Sequence, residues 1–311
     1  MKILISDKLQ DEGIKIFEDN GFRVIKDFTI SHETLKEEIE KYDGIVIRSR
    51  TKLTSEILDN AKNLKVIGRA GVGLDNVDQQ KAEEMNIKVL NTPEAPAVSV
   101  AEFALGLMLS LIRKISYADR TTHEGKWNKS ECLGYTLKGK KLGLIGFGNI
   151  AKHLAKISLG LGMDVGVYSR FSKGQIAIDE AKNSGCSIYP SVEDLLKDAL
   201  IISIHLPSTP QTENIINEQT INLMQKDAIL INTARGSLIN EKDLLQALKN
   251  RRIAGAALDV YREEPLKNQE LIDWDENLII TPHIASQSIE NQVSAAMMIA
   301  EKMSDYLKKN K

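Results

Sequence analysis

The 311-residue sequence is poor in cysteine, close to neutral, and without a long apolar run. The two cysteines, Cys132 and Cys186, form no CxxC, so neither a disulfide framework nor a zinc site is indicated, and both are expected to be ordinary reduced thiols. A net charge of −2 and a pI near 6.3 provide no global field to attract nucleic acid. The apolar start after Met1 is too short for a signal peptide and reaches Asp7 at once. Even the stretch from Ala101 to Ile112 is only about half the length that spans a bilayer. A cytoplasmic protein without a metal is expected. At 42% hydrophobic and 27% charged residues, the chain is long enough for two cores.

What is present is an alternation of short β-rich runs and amphipathic stretches, as doubly wound parallel sheets require. The first series places strands at Lys2 to Ser6, Arg23 to Lys26, Gly44 to Ile47, Lys65 to Ile67 and Lys88 to Leu90. Helices fit at Gln10 to Asn20, Ser31 to Lys41 and Thr54 to Asn60, with Ser31 and Thr54 as N-caps. Pro93 and Pro96 break the rhythm, and Val98 to Glu124 reads as one long helix crossing between domains. The second series has strands at Lys141 to Ile145, Asp164 to Tyr168, Leu200 to Ile204, Ala228 to Asn232, Ala254 to Val260 and Asn277 to Thr281. Six strands in that order suit a dinucleotide-binding domain, and a last helix from Ile289 to Lys309 follows.

Three ionisable residues stand just after apolar runs of the second series: Arg235 in Asn-Thr-Ala-Arg-Gly, Glu264 in Asp-Val-Tyr-Arg-Glu-Glu-Pro, and His283 in Thr-Pro-His-Ile-Ala. If those runs are parallel strands, all three lie beyond carboxyl ends, where open α/β sheets hold ligands. A guanidinium can fork onto a carboxylate, an imidazole can take a hydroxyl proton, and a carboxylate can orient and charge the imidazole. Together they suit oxidation of an alcohol beside a carboxylate. Upstream, Gly146-Phe147-Gly148-Asn149-Ile150-Ala151 lies between an apolar strand and a helix, the setting that points free N–H groups, here at Asn149 and Ile150, toward a pyrophosphate. Gly146 permits the turn, Gly148 permits close approach of the phosphate, and Ala151 replaces the last glycine of GxGxxG. Where NAD enzymes usually carry an acid on the ribose, this chain has Ser169-Arg170, followed by Lys173. A hydroxyl beside a guanidinium suits a 2′-phosphate, so NAD or NADP is expected, with a lean to NADP(H).

These phrases, with Ile47-Arg48-Ser49-Arg50-Thr51-Lys52, Gly68-Arg69-Ala70-Gly71-Val72-Gly73-Leu74-Asp75 and Asn91-Thr92-Pro93, make the chain resemble the D-isomer-specific 2-hydroxyacid dehydrogenase family over nearly its whole length. The resemblance implies two doubly wound parallel-sheet domains of α/β class. One is a discontinuous, flavodoxin-like substrate domain of residues 1–97 and 286–311, and the other an inserted Rossmann dinucleotide-binding domain of residues 98–285.

It further implies Arg235, Glu264 and His283 as catalytic residues, with Glu264 preferred to Glu263 because it directly precedes Pro265. His205, Leu206, Pro207, Thr233, Ala234, Asp259 and Ala285 are expected along the nicotinamide half of the cofactor, with Asp259 near the carboxamide. Arg48, Ser49, Arg50, Arg69 and the Gly71-Val72-Gly73 loop are the expected substrate residues, the loop through its N–H groups and Arg48, Arg50 and Arg69 through phosphate. Gly236 is expected to let the backbone pass close to substrate. The implied activity is interconversion of 3-phospho-D-glycerate and its 2-oxo acid, with NADPH-dependent reduction of hydroxypyruvate or glyoxylate as the alternative. A nucleotide-sensing corepressor is a remote third, disfavoured by the lack of peptide-recruiting extensions. Gly125-Lys126-Trp127-Asn128-Lys129 resembles the family's dimer arm, so a homodimer is expected, and the chain ending at Lys311 resembles forms without a C-terminal regulatory extension.

Overall fold

The computed structural model describes residues 1–169 and 175–310, apart from the side chain of Ala177. The chain forms two compact units, Met1–Pro96 with Gln287–Lys311, and Ala97–Ser286.

The first unit is built on strands β1 (Lys2–Ile5), β2 (Arg23–Lys26), β3 (Gly44–Ile47), β4 (Val66–Arg69) and β5 (Lys88–Asn91). They form a five-stranded sheet in the order β2-β1-β3-β4-β5, with every pair parallel. Alternation on β1 sends Ile3 and Ile5 to one core and Leu4 to the other, so both faces are covered. The helix Ile289–Lys309 supplies Ala296, Ile299, Ala300 and Met303 to one of these cores. Two glycines permit that docking: a Cβ on Gly13 would lie 2.5 Å from the Ala296 carbonyl oxygen, and one on Gly68 would lie 2.1 Å from the Met303 sulfur.

The second unit contains β6 (Lys141–Ile145), β7 (Asp164–Tyr168), β8 (Ser187–Ile188), β9 (Ile201–Ile204), β10 (Ile229–Asn232), β11 (Gly255–Leu258) and β12 (Leu278–Ile280). Their order is β12-β11-β10-β9-β6-β7-β8, again all parallel. Strand order reverses between β6 and β9, so the crevice beyond their carboxyl ends is the ligand position of a doubly wound sheet. Central strands β9, β10 and β11 are buried throughout, which explains their unbroken apolar sequences. The seventh strand, β8, escapes sequence reading because two residues carry no periodicity.

Three expectations about elements are corrected. The single helix from Val98 to Glu124 is two, Ala97–Ile112 and Ile115–His123, separated at Lys114, which is left-handed with φ of 54°. A distant segment causes the break: Tyr135 N–H donates to the Ile112 carbonyl at 3.2 Å, and Lys114 Nζ donates to the Glu131 carbonyl at 2.6 Å. Rather than crossing between units, Ala97–Ile112 buries Ala101, Ala104, Leu107 and Met108 in the core of the second. At the N-terminus of the helix Ser55–Leu58, Thr54 makes no capping hydrogen bond, whereas Ser31 caps the helix His32–Glu38 through Thr34 N–H. Among the described residues, no helix is long and apolar enough to cross a membrane.

Candidate active site

Arg235, Glu264 and His283 stand on the turns that follow β10, β11 and β12. The first turn is shaped by fully buried Asn232, whose Oδ1 accepts from Ala234 N–H at 3.0 Å and whose Nδ2 donates to the Arg235 carbonyl at 2.9 Å. One Arg235 guanidinium N–H donates to the Ala234 carbonyl at 2.7 Å, which holds the half-buried side chain against its own turn. A side-chain amide bridging its own strand end is the local signal that sequence reading passed over.

Glu264 and His283 are in direct contact, with His283 Nδ1 2.7 Å from Glu264 Oε2. The neighbouring Glu263 pairs instead with Lys267. A carboxylate only accepts, so Nδ1 carries the hydrogen and Nε2 of the neutral ring keeps its lone pair. Nε2 has no partner among the described residues, and the His283 side chain is 49% exposed, so that lone pair is accessible to a ligand. His283 is left-handed, φ 54°, an uncommon conformation for a residue other than glycine.

Two residues hold the His283 turn. Asp259, fully buried, accepts through Oδ1 from Thr281 Oγ1 at 2.6 Å and Ile284 N–H at 2.8 Å, and through Oδ2 from Ala285 N–H at 2.8 Å. This modifies the expectation for Asp259: most of its acceptor capacity braces the loop carrying His283, and only one lone pair of Oδ2 remains for a carboxamide. Tyr261, also buried, donates its hydroxyl to the carbonyls of Leu258 at 3.0 Å and Thr281 at 2.8 Å, and its backbone N–H to Glu264 Oε1 at 3.1 Å. Gly236 is corrected too. A Cβ there would lie 1.9 Å from the Tyr261 carbonyl carbon, so its glycine serves the close passage of two turns of this chain, not the approach of a substrate.

Beyond β6, Gly146 has φ of 99°, and a Cβ on it would lie 2.5 Å from the His205 carbonyl oxygen, so no other residue fits at the switch point. Gly148 begins the helix Asn149–Gly160, and a Cβ on it would meet nothing within 4 Å among the described residues. Open space over the first turn of a helix is what a pyrophosphate requires. Thr233 Oγ1 is buried without a partner among the described residues in the turn after β10, a polar atom left for a ligand. These features fit a dinucleotide. Leu206 and Ala285 are buried beside this region and Pro207 is exposed. His205 is half-buried with Nε2 2.9 Å from Ser203 Oγ, and desolvation pushes it down to about 4, so the ring is neutral near pH 7. Ser169 is buried just after β7, while Arg170 and Lys173 lie outside the described residues.

In the first unit, buried Asp7 organises the loop after β3, accepting from the N–H groups of Arg48 at 2.6 Å and Thr51 at 3.1 Å and from Thr51 Oγ1 at 2.7 Å. Ser49 lies in this loop. Arg50 is committed internally, donating to Asp7 Oδ1 at 3.1 Å, the Ser6 carbonyl at 2.5 Å and the Ile30 carbonyl at 3.2 Å. The expectation that Arg50 helps hold a phosphate is therefore corrected: its donors brace this loop. Arg48 uses one nitrogen, on Gln292 Oε1 at 2.5 Å and the Lys8 carbonyl at 3.4 Å, which leaves Nε and the other terminal nitrogen without partners among the described residues. Burial lowers its pKa somewhat.

The loop after β4 has its carbonyls tied down. Thr92 N–H donates to the Gly71 carbonyl at 2.9 Å, and Asn91 Nδ2 to the Val72 carbonyl at 2.7 Å. In trans peptides the N–H opposes the C=O, so the N–H groups of Val72 and Gly73 face away from Asn91 and Thr92. They have no acceptor among the described residues. Gly71, φ 147°, makes room for Arg69, whose terminal nitrogen would lie 1.4 Å from a Cβ there.

Residues 105–285 match the family described as D-isomer specific 2-hydroxyacid dehydrogenase, NAD binding domain. The chain is 40% identical over 308 residues to a D-3-phosphoglycerate dehydrogenase of Methanocaldococcus jannaschii, covering 99% of this chain and 58% of that protein. It is 39% identical over 307 residues to a hydroxypyruvate reductase of Thermotoga maritima, covering 97% of each. Among solved structures, NAD+-bound 3-phosphoglycerate dehydrogenase of Entamoeba histolytica superposes with a TM-score of 0.82 at 27% identity, covering 100% of this chain and 96% of that one. The chain belongs to the D-isomer-specific 2-hydroxyacid dehydrogenase family and carries its NAD(P)-binding domain. It spans between 54% and 58% of the length of the first three D-3-phosphoglycerate dehydrogenases it matches.

Proposed function

We propose that the protein interconverts 3-phospho-D-glycerate and the corresponding 2-oxo acid with a nicotinamide cofactor. The observation that carries this reading is the His283 Nδ1 to Glu264 Oε2 contact of 2.7 Å, which leaves Nε2 as an accessible base beyond the end of a parallel strand. Arg235 binds the substrate carboxylate, and in the first unit the N–H groups of the Gly71-Val72-Gly73 loop are offered to substrate. His283 Nε2 takes the hydroxyl proton in oxidation and returns it in reduction, while Glu264 stabilises the imidazolium. Gly146, Gly148, Asn149, Ile150, His205, Leu206, Pro207, Thr233, Ala234, Asp259 and Ala285 hold the cofactor. The nicotinamide, when bound, supplies the hydride acceptor for oxidation and the donor for reduction. Ser169 and Arg170 bind a 2′-phosphate, so NADP(H) is favoured. Arg48 takes the substrate phosphate through its unpaired nitrogens, and Arg69 assists it. The exposed Trp127, 84% accessible, supports a homodimer formed through that arm.

A second reading, reduction of hydroxypyruvate or glyoxylate, is favoured by one observation: Arg50 is spent on Asp7, Ser6 and Ile30, which removes a cation from the phosphate account. Initial rates with 3-phosphohydroxypyruvate, hydroxypyruvate and glyoxylate, each with NADH and NADPH, test the choice. Arg48→Ala should weaken the phosphorylated substrate about ten- to a hundredfold and hydroxypyruvate little, since a charge-assisted contact is worth roughly 1.5–3 kcal/mol. Equal loss of both substrates, or faster wild-type turnover of hydroxypyruvate, selects the second reading.

A further inference from the structure

The three catalytic turns share a neighbour that no catalytic step uses. Tyr261 lies after β11, buried, with its hydroxyl on the Thr281 carbonyl at 2.8 Å and on the Leu258 carbonyl at 3.0 Å. The Thr281 carbonyl also accepts from His283 N–H at 3.0 Å, so the phenol holds the oxygen that closes the tight Thr281-Pro282-His283 turn. That turn places His283 in its left-handed conformation. At its other end, Tyr261 donates its backbone N–H to Glu264 Oε1, while Glu264 Oε2 meets His283 Nδ1. Its backbone also lies against Gly236, the residue after Arg235.

We propose that Tyr261 is a positioning residue that fixes the His283–Glu264 pair, its hydroxyl setting the histidine turn and its N–H aiming the carboxylate. The inference rests on the reading of His283 as acid/base. Burial pushes the phenol up to about 12, so it remains a donor throughout any ordinary assay range. The hydroxyl is not needed to fill space, because phenylalanine preserves the ring. It is needed to hold one carbonyl, and a shift of the imidazole by even a fraction of an ångström lowers the population of reactive geometries.

The test is steady-state kinetics of the full chain carrying Tyr261→Phe, with 3-phospho-D-glycerate and with hydroxypyruvate as probes. His283→Ala, Glu264→Gln and the Tyr261→Phe/Glu264→Gln double variant are measured beside it. The expected result for Tyr261→Phe is about a tenfold fall in kcat in both directions, with cofactor Kd and substrate KM within about twofold of wild type. In the double variant the two losses should not multiply, since both act on one contact. Thermal melting checks that each variant is folded at the assay temperature. A Tyr261→Phe enzyme with unchanged kcat, or with losses that multiply fully, overturns the inference even if its melting temperature falls. A His283→Ala enzyme that keeps its rate overturns the acid/base reading itself, which separates the two failures.

Discussion

At the scale of residues, the side chains proposed to react stand out in the sequence because each lies in a short phrase beyond an apolar run, where strand-end chemistry is expected. The groups that aim them do not. The sequence points Asp259 toward the cofactor, and does not show that its oxygens also take Thr281, Ile284 and Ala285, partners more than twenty positions away. Nothing local in the sequence marks Tyr261 or Asn232, whose roles emerge only when the turns they bridge are folded. Arg50 shows the reverse: a cation in a loop expected to meet substrate proves to be a brace, because it pairs with Asp7. His205 yields a residue-scale prediction. Its folded value of about 4 lies below the ordinary 6.5, so as pH falls the unfolded chain takes up the proton first and stability drops across that interval. Stability should be full above about pH 6.5 and decline toward pH 4, by up to about 3 kcal/mol from this group. Denaturant titrations of wild type and His205→Gln should diverge in that window, wild type losing more. Parallel curves would show that His205 does not contribute.

At the scale of elements, period-two alternation and apolar strand runs gave the sheets, while features controlled by distant packing were invisible. The break at Lys114 depends on Tyr135 and Glu131 reaching back to the end of a helix, and local propensity does not register it. Glycines show the same division. Gly13 and Gly106 both lie within helices, where alanine is intrinsically better by about 1 kcal/mol. At Gly106 a Cβ meets nothing within 4 Å among the described residues, whereas at Gly13 it would be 2.5 Å from the Ala296 carbonyl oxygen. Gly106→Ala should therefore raise stability by up to about 1 kcal/mol, and Gly13→Ala should lower it by about 1–3 kcal/mol through overpacking. Chemical denaturation of the two variants decides this. A stabilised Gly13→Ala would mean that the helices Asp11–Asp19 and Ile289–Lys309 do not pack as described.

At the scale of the whole molecule, the sheet orders follow from the right-handed parallel rhythm, and the reversal between β6 and β9 locates the nucleotide crevice. Substrate and cofactor preference depend instead on a few side chains, and relatives over 30% identical differ in the activities they are named for. Ser169 gives a test at this level. Ser169→Asp should turn a preference for NADP(H) toward NAD(H), because a carboxylate repels a 2′-phosphate. A wild-type enzyme that already favours NAD(H) tenfold would contradict the reading of that turn.

The central claim is that His283, oriented by Glu264, moves the proton that accompanies hydride transfer. Its most direct measurement is kcat for wild type and His283→Ala, followed by the appearance of reduced nicotinamide from 3-phospho-D-glycerate, with cofactor affinity determined separately for each. The account predicts that kcat falls on the order of 10²–10⁴-fold while cofactor binding is retained. Turnover of His283→Ala close to that of wild type would contradict it.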